Sequence, residues 1–351
     1  MKLPSPDALP AHRNNNFNIL RFAAAAMVIY GHMFPIMGLG GRQVFGTVAV
    51  HGLGLRILFL ISGYLICQSW QRDPHAPRYT ARRALRIWPA LAALCLLTAL
   101  VMGPMATSLP TGEYFSNPGT WAYIGKNILL WPEYNLPGVF TENAYGPAVN
   151  GSLWSLPVET AMYVALSVLL RLLRGPKARK IGLACAAAAC CAARLLCIAL
   201  PWKCPPALQV IHYFFIGALF TFPGIRRRLS TQWALAALLI LAALPVFAGE
   251  FASELTCILL LPYVVFSFAL PRRAAFARAF SKNDYSYGLY LYAFPVQQLL
   301  SPWLLVRGIG PRAGALLAFA FTLPLAVLSW HLIEKRAQRL AKKLTKRGQP
   351  A

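Results

Sequence analysis

Arg21 and His32 bracket the stretch RFAAAAMVIYGH, in which every residue between them is apolar or small. At about 100° per residue, the eleven steps from one to the other close on the same helix face, about 16 Å apart along the axis. Ionisable side chains inside a segment of this kind normally face a protein interior or a wet cavity. The competing reading is that Arg21 snorkels to the lipid headgroups and His32 caps a loop.

Further polar residues break other apolar runs. Arg56 lies inside GLGLRILFLISGYLI, where Ser62-Gly63 is a small pair of the sort that lets membrane helices pack closely. In RRALRIWPAL, Arg83 and Arg86 are three apart and share a face, with Arg82 beside them. Guanidiniums pointing one way make a phosphate or pyrophosphate clamp, although membrane anchoring by positive charge also accounts for them. The segment NGSLWSLPVET places Glu159 about two turns into an apolar run, with Ser155 four residues before it on the same face. A carboxylate bonded to one imidazole nitrogen sets the tautomer and raises the basicity of the other, so Glu159 and His32 are a candidate catalytic pair. In SYGLYLYAFPVQQ, Tyr287, Tyr290 and Tyr292 offer hydroxyls on more than one face, and Gln297 and Gln298 end the run.

The elements that carry these residues are membrane spans. Of 351 residues, 58% are hydrophobic and only 13% charged, about half the charge usual in a soluble protein. Ten apolar spans are expected, at about 17–36, 45–69, 84–105, 152–172, 181–201, 207–224, 231–248, 253–270, 285–305 and 312–333. The expected fold is an all-α polytopic membrane bundle. The net charge of +24 is not a nucleic-acid signature, because the basic residues lie in short clusters between apolar runs. Alternate connectors, together with the two terminal segments, hold 26 of the 34 Lys and Arg residues, whereas the other set holds Arg42, Lys126, Lys203, Arg307 and Arg312. The positive-inside rule then puts both termini in the cytoplasm, and an even number of spans agrees by keeping them on one side. Residues 1–16 read as a disordered cytoplasmic lead, 17–335 as the membrane domain and 336–351 as a basic cytoplasmic tail. The connector 106–151 is expected outside the cytoplasm as a long, largely structureless loop. Within it, WAYIGKNILLW suits a short interfacial helix with Trp121 and Trp131 at headgroup level. Its Tyr, Trp and Asn residues suit sugar binding, and equally a lid over the bundle. The eight cysteines show no CxxC and no metal-ligand spacing, so neither a metal site nor a structural disulfide is expected.

Six of these blocks, in this order, resemble the membrane-bound acyltransferase family three, which contains bacterial O-acyltransferases acting on carbohydrates. They are the Arg21–His32 pair, FLISGYLI, Arg83-x-x-Arg86, NGSLWSLPVE, SYGLYLYAFP and the closing HLIEKRAQRL. The resemblance implies an acyl-coenzyme A co-substrate, most often acetyl, a carbohydrate acceptor and a multi-pass place in the bacterial inner membrane. No permanently bound cofactor is implied. On that reading Arg83 and Arg86, with Arg82, hold the donor phosphates, and Arg21 sits at the cytoplasmic mouth or steadies the donor. His32 acts as general base or as a covalent acyl relay, with Glu159 orienting it. Arg56, Asn150, Ser152, Trp154, Ser155 and Tyr290 are the expected acceptor contacts. The rival from another class is a transporter or flippase for small glycans or organic anions. Such proteins often show repeated halves and broken helices, and neither is visible here.

Overall fold

The computed structural model describes residues 15–45, 48–200, 203–247, 249–270 and 283–346. Helix α1 (Phe17–Ile36) precedes a short antiparallel hairpin, β1 (Gln43–Val44) and β2 (Val48–Ala49), with Val44 opposite Val48. Next come α2 (Val50–Arg72) and α3 (Ala76–Leu97), which continues through a π turn at Thr98–Met102 into α4 (Gly103–Ala106). Two short helices, α5 (Thr111–Ser116) and α6 (Pro118–Ile128), follow. A 3-10 turn at Gly151–Trp154 opens α7 (Ser155–Leu172), which leads to α8 (Pro176–Ala199), α9 (Ile211–Leu219), α10 (Pro223–Arg226), α11 (Thr231–Phe247) and α12 (Glu250–Ala269). Last are α13 (Ser286–Val306), α14 (Pro311–Ser329), a π turn at Trp330–Glu334 and α15 (Lys335–Lys346).

Each of the ten expected spans overlaps a helix among the described residues, although the second starts in the hairpin and not in α2. Seven helical stretches among the described residues are long and apolar enough to cross a membrane, from Phe17–Ile36 to the 35-residue Pro311–Thr345. The segments at α9 and α11 are shorter, and α13 is long but diluted by Tyr and Gln. Proline sits at the first turn of α3, α6, α8 and α14, where its missing N–H has no intrahelical partner to lose. Prolines 35, 89, 262, 295 and 324 lie inside helices, as membrane helices tolerate. The interior is mostly apolar, as in a soluble protein, but the outside is apolar too. Leu172, Trp233, Leu239 and Leu316 are exposed, while Arg56, His212, Glu254 and Gln297 are buried. That distribution suits helices whose outer solvent is hydrocarbon. The fold is therefore an all-α polytopic membrane bundle.

Two compact units divide the chain, and the division falls inside α1 and inside α7. The first holds residues 1–24, 43–72 and 162–284. Its centre is the contact between α2 and α9. A Cβ on Gly63 would lie 1.8 Å from the Phe214 carbonyl oxygen, and one on Gly217 would lie 2.0 Å from that of Leu60. Only hydrogen fits at either place, so the expected role of Gly63 in close helix packing holds. The second unit holds residues 25–42, 73–161 and 285–351. Here α13 packs along α14, with Gly288 against Ala326 and Leu304 against Gly314, so the two helices are antiparallel.

Two expectations need correction. The disordered lead is expected through residue 16, but Asn16 is buried, and its backbone and side-chain amides donate to the carbonyls of Ala269 (2.9 Å) and Phe268 (2.8 Å). Residues 1–14 lie outside the described set, as do the basic connector 271–282 and residues 347–351. The connector 106–151 is not a structureless loop. Its α5 and α6 are folded, and α6 packs on α3, where the Trp88 indole N–H donates to the Ile128 carbonyl at 2.9 Å. Buried Asn127 supplies three hydrogen bonds that shape the following turn, to the carbonyls of Tyr123 and Glu133 and from the Glu133 amide. The sequence shows only polar and Pro/Gly-rich composition; the compensating hydrogen bonds come from contacts it does not display. The α6 helix covers residues 121–128 of the expected interfacial segment 121–131; Trp121 lies in the helix and Trp131 just past it, both exposed.

Candidate active site

In the second unit, one face of α13 organises the catalytic candidates. Tyr290, Phe294, Gln297 and Gln298 follow at helical steps of four and three to four. The Tyr290 hydroxyl donates to the Ser152 carbonyl at 2.8 Å, and so accepts the Ser155 hydroxyl proton across 2.5 Å. Asn150 is fully buried. Its oxygen caps the Ser152 amide at 3.1 Å, and its nitrogen donates to the Leu291 carbonyl at 2.9 Å. Asn150, Ser152, Ser155 and Tyr290 thus form one network that fixes the start of α7 against α13. Trp154, in the same turn, is half-buried.

Glu159 stands one turn beyond Ser155 on α7, half-buried and within electrostatic range of the Tyr290 hydroxyl. His32 is also half-buried, between buried Gly31 and Met33. Its ring meets Phe294 edge to face at 5.6 Å. On its other sides Phe294 touches Tyr145, at 5.4 Å, and lies over Gly151. Gln297, buried completely, donates to the Ile29 carbonyl at 2.7 Å and reaches the Met33 sulfur at 3.5 Å. It therefore clasps α1 on both sides of His32. Gln298 holds the connector, donating to the carbonyls of Gly146 and Ala148 and accepting from Asn143. Tyr290 and Phe294 are one turn apart on α13, the first beside Ser155 and Glu159, the second beside His32. Phe294, Gln297 and Gly151 were not among the expected site residues. The signal available for Gln297 was a glutamine in an apolar run.

The basic candidates lie on the first turns of α3. Asp73 accepts a bidentate pair of bonds from Arg78 and a 2.8 Å bond from Arg82. These guanidiniums hold its carboxyl down to about 2. The Arg86 guanidinium lies 5.9 Å over the ring of Tyr287, whose hydroxyl donates to the Ile87 carbonyl at 3.0 Å. Arg83 is half-buried on the same helix face as Arg86. Among the described residues, Nε and Nη2 of Arg82 are buried with no hydrogen-bond partner.

The first unit holds the other two arginines. Arg21 pairs with Asp284 at 2.6 Å. Arg56 is buried and ion-paired to Glu254 at 2.8 Å, with the Tyr213 hydroxyl at 3.4 Å. Arg194 reaches Glu254 at 3.5 Å and Glu250 at 3.6 Å. His212 lies 4.0 Å from Glu254; its Nδ1 is 3.1 Å from the Leu208 carbonyl and so carries the hydrogen. Glu254, Arg194 and His212 were not expected to assemble. They come from three helices, and the clue in sequence was only that each interrupts an apolar run.

A helical membrane bundle with a half-buried His and Glu, each beside α13, and guanidiniums on α3 has the parts of an intramembrane enzyme. The chain belongs to the acyltransferase domain family, whose pattern matches residues 14–331. It is similar to an "O-acetyl transferase" of Shigella phage Sf6, 28% identical over 332 residues that cover 93% of this chain and 96% of that protein. It is also similar to "Nodulation protein 10" of Rhizobium leguminosarum bv. viciae, 29% identical over 98% of each chain. No solved structure is significantly similar. The protein is an acyltransferase in a multi-pass membrane fold, which displaces the transporter reading.

Proposed function

We propose that this enzyme is an O-acyltransferase of the bacterial inner membrane that moves an acyl group, acetyl in the simplest case, from acyl-coenzyme A to a carbohydrate hydroxyl. The observation that carries the reading is the family match through both α1 and α13, together with the placing of His32 and Glu159 beside neighbouring turns of α13. The near full-length similarity to a protein named an O-acetyl transferase supports oxygen as the acceptor atom.

Arg83 and Arg86, with Arg82, hold the donor phosphates from α3. His32 takes the proton of the acceptor hydroxyl as its oxygen attacks the thioester carbonyl. The carbon–sulfur bond then breaks, and the thiolate recovers that proton from the imidazolium. In the covalent variant the acyl group rests on the His32 imidazole before it passes to oxygen. Glu159 orients the imidazole or stabilises its positive charge. The Asn150–Tyr290 network holds the segment bearing Trp154, and Tyr145 beside Phe294 offers a further aromatic face to a sugar. Arg21 and Arg56 are each held by a carboxylate within the first unit, Asp284 and Glu254 respectively, and no step is assigned to either.

His32→Ala should fold and insert normally yet lose at least ~100-fold in acyl transfer. Glycan acylation would be measured in cells with and without the variant, alongside its melting temperature in detergent. Wild-type modification by His32→Ala removes the central residue. Acyl-His32 trapped from acetyl-coenzyme A without acceptor selects the relay, whereas ternary-complex kinetics select direct transfer.

A further inference from the structure

Helix α15 continues beyond the part of the chain that the family pattern matches, which ends at residue 331. It packs on α3. Its level on α3 follows from aromatic contacts. Tyr285 meets Trp330 and His331, at 6.5 and 6.3 Å, and Tyr287 bonds to Ile87. Because α14 runs antiparallel to α13, the chain past residue 331 descends alongside the first three turns of α3, which carry Arg82, Arg83 and Arg86.

The face of α15 turned inward is legible from burial. Glu334 and Ala341 are buried, and Gln338 and Thr345 are half-buried, at steps of four, three and four. Half-buried Lys335 and exposed Lys342 stand three before and four after Gln338, so they form a basic stripe on the flank of that inward face. Gln338 Nε2 is buried with no hydrogen-bond partner among the described residues, like Nε and Nη2 of Arg82. All three atoms are N–H donors. Buried donors call for an acceptor, and a seam flanked by lysines favours an anionic one.

We propose that α15 forms the second wall of the donor site, with Gln338 donating to a phosphate oxygen of acyl-coenzyme A that Arg82 contacts from α3, and with Lys335 and Lys342 adding charge. The inference rests on the donor reading above. It is tested by direct binding to the full chain in neutral phosphatidylcholine nanodiscs, using coenzyme A, its 3′-dephospho form and pantetheine as probes. Gln338→Ala should weaken coenzyme A about tenfold, the scale of one lost hydrogen bond to a charged group, and leave pantetheine unchanged. Lys335→Gln with Lys342→Gln should weaken coenzyme A and flatten its salt dependence. Retention of the Gln338→Ala defect with the 3′-dephospho form assigns the contact to the pyrophosphate; its disappearance assigns it to the 3′-phosphate. Wild-type affinity in both α15 variants, with affinity lost in Arg83→Ala and Arg86→Ala, overturns the α15 wall but keeps the donor reading. Equal loss of coenzyme A and pantetheine also overturns it, because the helix then acts only as a support. Absence of coenzyme A binding in the wild type overturns the donor reading itself.

Discussion

Gly151→Ala is the sharpest perturbation of the His32 environment. The added Cβ would lie 2.8 Å from Phe294 Cζ and 2.9 Å from Cε2, against at least 3.4 Å for an ordinary contact. The backbone there accepts alanine, so the whole effect is steric. Phe294 has to retreat by roughly half an ångström at its tip, and overpacking of this kind costs about 1–3 kcal/mol. The ring has little freedom, with Tyr145 at 5.4 Å and His32 at 5.6 Å. Part of the shift therefore passes to the imidazole. Misplacing a reacting group by about 1 Å costs about 100-fold, so half that displacement predicts roughly a tenfold loss of turnover. Purified protein in nanodiscs, acetyl-coenzyme A and isolated glycan give the assay, with the melting temperature measured in parallel. Adding Phe294→Leu to Gly151→Ala shortens the obstructing group and should recover much of the rate. Wild-type turnover in Gly151→Ala would refute the steric relay, as would a loss that the second substitution fails to relieve while the melting temperature is unchanged.

Three further outcomes are expected. Glu254→Gln leaves the buried guanidinium of Arg56 without its 2.8 Å carboxylate and should destabilise the fold by about 3–5 kcal/mol; with Arg56→Met, a cycle in detergent unfolding should show strong coupling, and additive losses would contradict the pair. Gly217→Ala, whose Cβ would lie 2.0 Å from a backbone oxygen of α2, should lower the melting temperature sharply, whereas Gly52→Ala, with open space around it, should not. Asp73 stabilises fully above its unfolded pKa of 3.8 and loses that contribution as the pH falls through about 2. The melting-temperature gap to Asp73→Asn should therefore be constant from about pH 8 to 5 and close only below about 4; a gap that narrows near neutrality would exclude the Arg78–Asp73–Arg82 cluster as its source.

The amino-acid sequence by itself determined the class of fold, because a run of apolar residues long enough to cross hydrocarbon leaves the backbone only the helix. It also marked Arg21, His32, Arg56 and Glu159, since a charge in such a run is costly and stands out against its neighbours. It exposed the family through short blocks whose order can be read along one dimension. Partners were beyond its reach. Arg56 and Glu254 are 198 positions apart, and Gln297 and Ile29 are 268 apart; only packing brings them within a hydrogen bond. The connector likewise looked unstructured, because the contacts that order it, Asn127 to Glu133 and Trp88 to Ile128, depend on where α3 and α6 meet. Periodicity places a side chain on a face of its own helix, but the tertiary structure decides which neighbouring helix that face meets. For this enzyme, that decision set α13 beside His32 and Glu159 alike.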